Sequence, residues 1–118
     1  MQFKALFLDL DGTTVPNAFN GMPSERVRDA IHRAKSKVFV CVATSRPIPY
    51  ARPVLDHLDI RGFCSVNDAT QIYDPVKRRI RETIYLDPRD VPQVFALLEK
   101  FTPMFMVNDG KSEWEYHG

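Results

Sequence analysis

Three short apolar runs, each ending on a polar side chain, constrain this chain more than any other feature. Phe3 to Leu8 ends at Asp9, Val38 to Ala43 ends at Thr44, and Gly62 to Val66 ends at Asn67. Continuous apolar runs of this length suit strands of a parallel sheet, buried on both faces. Between the first two, Ser24 can cap a helix whose first turn holds Glu25. Val27, Ala30, Ile31 and Ala34 then fall at i, i+3, i+4 and i+7 and give that helix one apolar stripe. Between the second and third runs, a proline-rich stretch leads to a short helix expected around Arg52 to Leu58, with Pro53 in its first turn. Strand, helix, strand, helix, strand is the pattern of an α/β fold, a parallel sheet with helices on both faces. Right-handed crossovers bring the three strand ends to one edge. Ligands of open α/β sheets bind beyond that edge. Asp9, Thr44 and Asn67 therefore form a candidate site from pattern alone.

The character changes after Asn67. Gln71 to Asp74 and Arg79 to Ile84 alternate around Asp74-Pro75, as in a hairpin. Asp87-Pro88 is expected to open a helix with Asp87 as its cap, and Val91, Val94, Phe95 and Leu98 supply the apolar face. Pro103 to Val107 and Ser112 to Tyr116 flank Asn108-Asp109-Gly110-Lys111, a hairpin turn signal. Residues 1–84 thus read as the sheet-and-helix unit with its hairpin, and 85–118 as the start of a second, α+β unit in which Trp114 and Tyr116 share a strand face.

Charge and composition narrow the function classes. Sixteen basic residues face fifteen acidic ones, for a formal net charge of +1. That balance offers no electrostatic footprint for nucleic acid or an anionic membrane. The basic run Lys77, Arg78, Arg79 and Arg81 reads as a solvated turn. No apolar run approaches the roughly 20 residues that span a bilayer, and no leader pattern is seen, so a cytoplasmic location is expected. Cys41 and Cys64 lie in apolar strand-like segments and read as buried reduced thiols. His32, His57 and His117 show no metal-ligand spacing.

The stretch that carries chemistry is Phe7-Leu8-Asp9-Leu10-Asp11-Gly12-Thr13-Thr14. Asp9 and Asp11 project to one side of an extended chain. Two close carboxylates repel unless a cation offsets them or one holds a proton. Mg²⁺ characteristically takes one or two carboxylates together with substrate phosphate. Gly12 permits a sharp turn, and its backbone N–H can face a phosphoryl group. In isolation, an aspartate-rich turn closing a strand would look the same.

Asp9-Leu10-Asp11-Gly12-Thr13 resembles the first motif of the haloacid-dehalogenase superfamily. Ala43-Thr44-Ser45-Arg46-Pro47 resembles the second motif in the Cof-type sugar-phosphatase branch, and Asn67-Asp68-Ala69 with Ile72-Tyr73-Asp74 resembles the approach to that branch's cap. Ser45 and Asp68 stand where the family pattern has glycine. The resemblance implies a partial Rossmann-like core followed by the beginning of a cap. It implies a Mg²⁺-dependent phosphohydrolase of small phosphorylated metabolites, with an aspartyl-phosphate intermediate. Asp9 would be the nucleophile and a metal ligand. Asp11 would be the general acid/base, with its carbonyl on the metal. Gly12 and Thr44 would contact phosphate, and Arg46 and Asn67 the substrate rim.

The family's later lysine and acidic residues have no counterpart here, because Lys100 and Lys111 fall in the cap segment. An incomplete chain, inactive or impaired alone and prone to self-association, is therefore expected. A phosphomutase of the same superfamily would share these early motifs. A non-catalytic association module is the reading from another class. A phospho-receiver domain would need an acid at the end of the third strand, where Asn67 stands.

Overall fold

The computed structural model describes residues 2–18, 20–101, 104–109 and 113–117. Strand β1 (Ala5–Leu8) pairs in parallel with β2 (Phe39–Val42), Leu6 opposite Val40 and Leu8 opposite Val42. A parallel bridge between Ala43 and Ser65 carries the order on to β3 (Cys64–Val66). From there the chain turns back. Strands β4 (Gln71–Asp74) and β5 (Arg79–Thr83) continue antiparallel in the order β3-β4-β5, with an irregular register at Ile72 and Tyr73.

Helix α1 (Glu25–Lys35) starts as its sequence requires: Ser24 is the N-cap, and its hydroxyl accepts from the Val27 N–H at 3.3 Å. Helix α2 (Ile48–His57) begins four residues before the expected start. Pro47 has extended dihedrals and serves as the cap, and Pro49 fits the first turn, where its missing N–H costs nothing. Pro53 consequently lies inside the helix. The carbonyl it leaves unbonded is that of Pro49, and both prolines lie on the exposed side, where water can satisfy it.

Both helices pack on one face of the sheet. Ile31 of α1, Ile48, Ala51, Val54 and Leu55 of α2, Val40 and Val42 of β2 and Cys64 and Val66 of β3 form a single buried cluster with Leu10 and Tyr73. Strands that advance in one direction, joined by right-handed crossovers, place successive helices on the same side. Among the described residues, the helical cover expected on both faces is seen on one. The opposite face leaves Phe7 63%, Phe39 73% and Phe63 54% exposed. Together with Cys41 and Ile72 they line an apolar groove of about 430 Å³. Gly62 lies at its edge, where a Cβ would sit 2.4 Å from the Cys41 Sγ and 2.6 Å from the Val40 carbonyl. Both cysteines are buried and free, and burial raises both thiols, Cys64 to about 11.

Helix α3 (Val91–Phe101) starts later than Asp87-Pro88 implied. The Asp87 carboxylate instead accepts from the Arg89 N–H and binds its guanidinium, closing a turn; Asp90 then supplies the first helical carbonyl, to Val94. The Asp87 carboxyl is held low chiefly by that Arg89 hydrogen bond. Strands β6 (Met104–Asn108) and β7 (Glu113–His117) pair antiparallel, as the hairpin pattern required, with Val107 opposite Trp114 and Phe105 opposite Tyr116. Gly110 and Lys111 of the turn lie outside the described residues. Phe95 meets Phe105 edge to face at 5.2 Å, and no residue of α3 is fully buried.

Candidate active site

The ladder of β1, β2 and β3 brings the three motif segments together. The Ala43 N–H donates to the Leu8 carbonyl, the Thr44 N–H to Ser65, and the Asn67 N–H to the Arg46 carbonyl, each at 2.9 Å. The residues following each strand are thus tied to one another by backbone hydrogen bonds, as expected of adjacent carboxyl ends in a parallel sheet.

Asp9 emerges from β1 exposed but oriented. One carboxylate oxygen accepts from the Leu10 N–H at 2.8 Å, the other from the Thr13 hydroxyl at 3.2 Å. Below it, the Thr14 hydroxyl donates to the Asp9 carbonyl at 2.6 Å. The Leu10 carbonyl accepts from the N–H groups of Thr13, Thr14 and Val15, winding the loop tightly. Gly12 takes φ +75°, which an L side chain resists. Thr13 and Thr14 thus join the site beyond the residues that the motifs single out. The signal was there, since a hydroxyl four residues after a strand-ending carboxylate can reach back to it once Gly12 turns the chain.

Arg46 behaves differently from a rim contact. Its guanidinium forks onto the Asp11 carboxylate, with Nε 2.9 Å from Oδ2 and Nη2 2.6 Å from Oδ1. It also donates to the carbonyls of Tyr50 at 3.2 Å and Gly21 at 3.5 Å. The Arg46 side chain is 11% exposed and that of Asp11 36%. The hydrogen bond from Arg46 holds the Asp11 carboxyl below the usual carboxylate range, against a smaller opposing effect of burial. Sequence spacing alone could not reveal this pair, because it joins residues 35 apart in the chain through tertiary contacts, the Gly21 carbonyl among them.

Thr44 is buried, and its hydroxyl accepts from the Arg46 N–H at 3.2 Å. That contact closes the turn before α2, whose own cap is Pro47, so the Thr44 hydroxyl proton is free of any capping duty. Asn67, Asp68 and Ala69 take successive positive φ values of 55°, 53° and 64°. Asn and Asp tolerate this conformation, while Ala does not gain from it. Asp68 thus adopts what a glycine would adopt there, whereas Ser45 does not take a positive φ. The Thr70 hydroxyl and N–H both donate to the Asn67 carbonyl and fix the turn. Among the described residues no group of three His, Cys, Asp or Glu side chains gathers as a ready metal cage, and no helix is long and apolar enough to cross a membrane.

A parallel β-α-β core with an oriented aspartate at its strand ends defines an α/β protein with a candidate site at that edge. The sequence model of the haloacid dehalogenase-like hydrolases matches residues 6–117, and the chain belongs to that family. Among solved structures it is similar to a haloacid dehalogenase-like hydrolase from B. subtilis, with 21% identity and a TM-score of 0.78, over 94% of this chain and 38% of that one. It is also similar to a phosphatase of this superfamily from Bacteroides thetaiotaomicron, with 16% identity and a TM-score of 0.77, over 97% and 41% of the two chains. A subclass IIB sugar phosphatase aligns with 19% identity and a TM-score of 0.75, over 96% and 44%. The chain spans about two fifths of the length of these structures. Among curated proteins no relative matches by sequence.

Proposed function

We propose that this chain carries the nucleophile side of a phosphohydrolase that acts on small phosphorylated metabolites through an aspartyl-phosphate. The observation that supports this most is the Asp9 carboxylate: exposed at a strand end, aimed by the Leu10 N–H and the Thr13 hydroxyl, and beside the Thr44 and Arg46 turn. An Asp9 oxygen attacks phosphorus, the bond to the ester oxygen breaks, and that oxygen takes a proton from Asp11. Water then attacks the aspartyl-phosphate, Asp11 accepts its proton, and inorganic phosphate leaves with the Asp9 carboxylate restored. The Thr44 hydroxyl and the Gly12 N–H donate to phosphoryl oxygens as charge moves onto them.

Asp11 bound by Arg46 is held as a carboxylate, a form with no proton to give. An incoming phosphomonoester competes for the same guanidinium, and Asp11, released from it, takes up a proton from the monoanionic ester or from solvent and then acts as the acid. Mg²⁺ fits the donor chemistry, since Asp9 and the Asp11 carbonyl offer hard oxygens and this ion completes its shell with phosphate and water. When bound, it would supply charge neutralisation at the phosphoryl oxygens. The likeness to a sugar phosphatase supports sugar phosphates as the first substrates to try.

The test is phosphate release from a panel of sugar monophosphates with Mg²⁺, by the protein that carries this chain. Release that depends on Mg²⁺ supports the reading, and transfer of the phosphoryl group within the sugar without release would indicate a phosphomutase. The exposed Phe7, Phe39 and Phe63 support a second proposal, that the isolated chain self-associates by laying this face against a second copy. Sedimentation at micromolar concentration is its test, and a monomer that resists dilution would refute it.

A further inference from the structure

Helix α2 and the β4–β5 hairpin enclose a cleft of about 770 Å³ whose lining contains none of Asp9, Asp11, Thr44 or Arg46. Ile48, Arg52, Gln71, Tyr73, Arg79 and Thr83 are among the residues that form it. Its volume lies within the roughly 300–1,000 Å³ typical of small-molecule pockets.

Two side chains in the wall are out of balance. Gln71 is 2% and Tyr73 1% exposed, yet the Gln71 Oε1 and the Tyr73 hydroxyl have no hydrogen-bond partner among the described residues. Buried polar atoms are satisfied in the large majority of cases, because an orphan keeps the cost of its lost hydration. Turning the Gln71 amide over does not help. Its Nε2 donates to the Asp109 carbonyl and the Thr83 hydroxyl, each at 3.3 Å, and a flip would set oxygen against the Asp109 carbonyl oxygen. Both residues belong to the face of β4 that packs toward α2, so their polar ends are fixed by the fold.

The charge of the lining is also one-sided. Arg52, Arg78 and Arg79 face one acid, Asp109. Arg78 is committed to Asp56, at 3.0 and 3.3 Å. Arg52 and Arg79 form no ion pair among the described residues. A guanidinium matches phosphate or carboxylate oxygens in a planar fork. The orphan amide oxygen requires a donor, such as a hydroxyl.

We propose that this cleft is a binding site for a small anionic polyol, its phosphate or carboxylate on Arg52 and Arg79 and its hydroxyls on Gln71 and Tyr73. The site is separate from the Asp9 loop and stands or falls independently of the chemistry proposed there.

The experiment is a ¹H–¹⁵N titration of the full 118-residue chain without Mg²⁺, using glucose 6-phosphate and gluconate as probes. Saturable shifts of the Gln71 side-chain amide are expected, and the stronger probe distinguishes phosphate from carboxylate. Combining Arg52→Ala with Arg79→Ala, both at exposed positions, should weaken binding about tenfold or more, the loss expected for charge-assisted hydrogen bonds. Tyr73→Phe should weaken binding without lowering the melting temperature, because the hydroxyl it removes has no partner among the described residues. Shifts confined to the Asp9, Thr44 and Asn67 loops, no saturable shift with either probe, or an unchanged affinity in the double variant would overturn the proposal. So would a marked loss of stability in Tyr73→Phe.

Discussion

The two faces of the β1–β2–β3 sheet are built from similar residues and end in opposite environments. On one, Val40, Val42, Cys64 and Val66 lie under α1 and α2, and Val42, Cys64 and Val66 are wholly buried. On the other, Phe7, Phe39 and Phe63 meet solvent across an open groove. Alternation along the strands cannot distinguish them, since both sets are apolar. The difference comes from topology: strands laid down in one direction send both crossovers to one side. An apolar residue in a parallel strand therefore says that the fold is designed for cover on that face, not which element provides it.

The largest effect should separate the faces. Leu55→Ala, in the covered core, should cost about 2–5 kcal/mol of stability, read from the shift in urea midpoint. Phe39→Ser, on the open face, should change monomer stability by no more than about 0.5 kcal/mol and should weaken self-association. Equal losses at the two positions would mean that the open face is packed in solution.

Next comes the tie across the site. Asp11 is depressed below its ordinary value of 3.8 by Arg46, so its contribution to stability is present above that pH. It is lost as pH falls through the lower, folded value. Arg46→Ala should therefore unfold more easily than the parent protein at neutral pH, and the gap should close under strongly acidic conditions. Urea midpoints measured across pH check this, and a gap that persists undiminished in acid would show that Arg46 acts through packing rather than through the Asp11 charge.

Much of this arrangement was legible in the sequence, for identifiable reasons. The three strand ends, the Ser24 cap and the hairpins follow from short-range patterns that depend on few neighbours. Gly12 announced its turn because the conformation requires it. The local pattern puts the start of α2 too late because Pro53 resembles a first-turn proline, whereas Pro47 is the cap and Pro49 lies in the first turn. The pattern puts the start of α3 too early because Asp87 binds Arg89 rather than capping the helix. The Arg46–Asp11 fork and the α2–hairpin cleft join residues distant in sequence, and nothing local encodes them.

The smallest effect concerns the Asn67–Ala69 turn. A left-handed Ala costs roughly 1–2 kcal/mol, while glycine adds about 0.4–1 kcal/mol of unfolded-state entropy. Ala69→Gly should therefore stabilise by up to about 1 kcal/mol, visible as a modest rise in melting temperature. A fall would show that the Ala69 methyl makes a contact outweighing its φ of 64°.

The central claim is that Asp9 performs the chemistry, and a matched comparison of Asp9 with Asp9→Asn in the protein that carries this chain tests it most directly. Asparagine keeps the shape and can still accept one hydrogen bond, but it has no charged oxygen to attack phosphorus. The quantity to measure is Mg²⁺-dependent phosphate release from the best sugar phosphate of the panel. Our account predicts activity with Asp9 and none above background with the amide. Near-normal release from Asp9→Asn would contradict it.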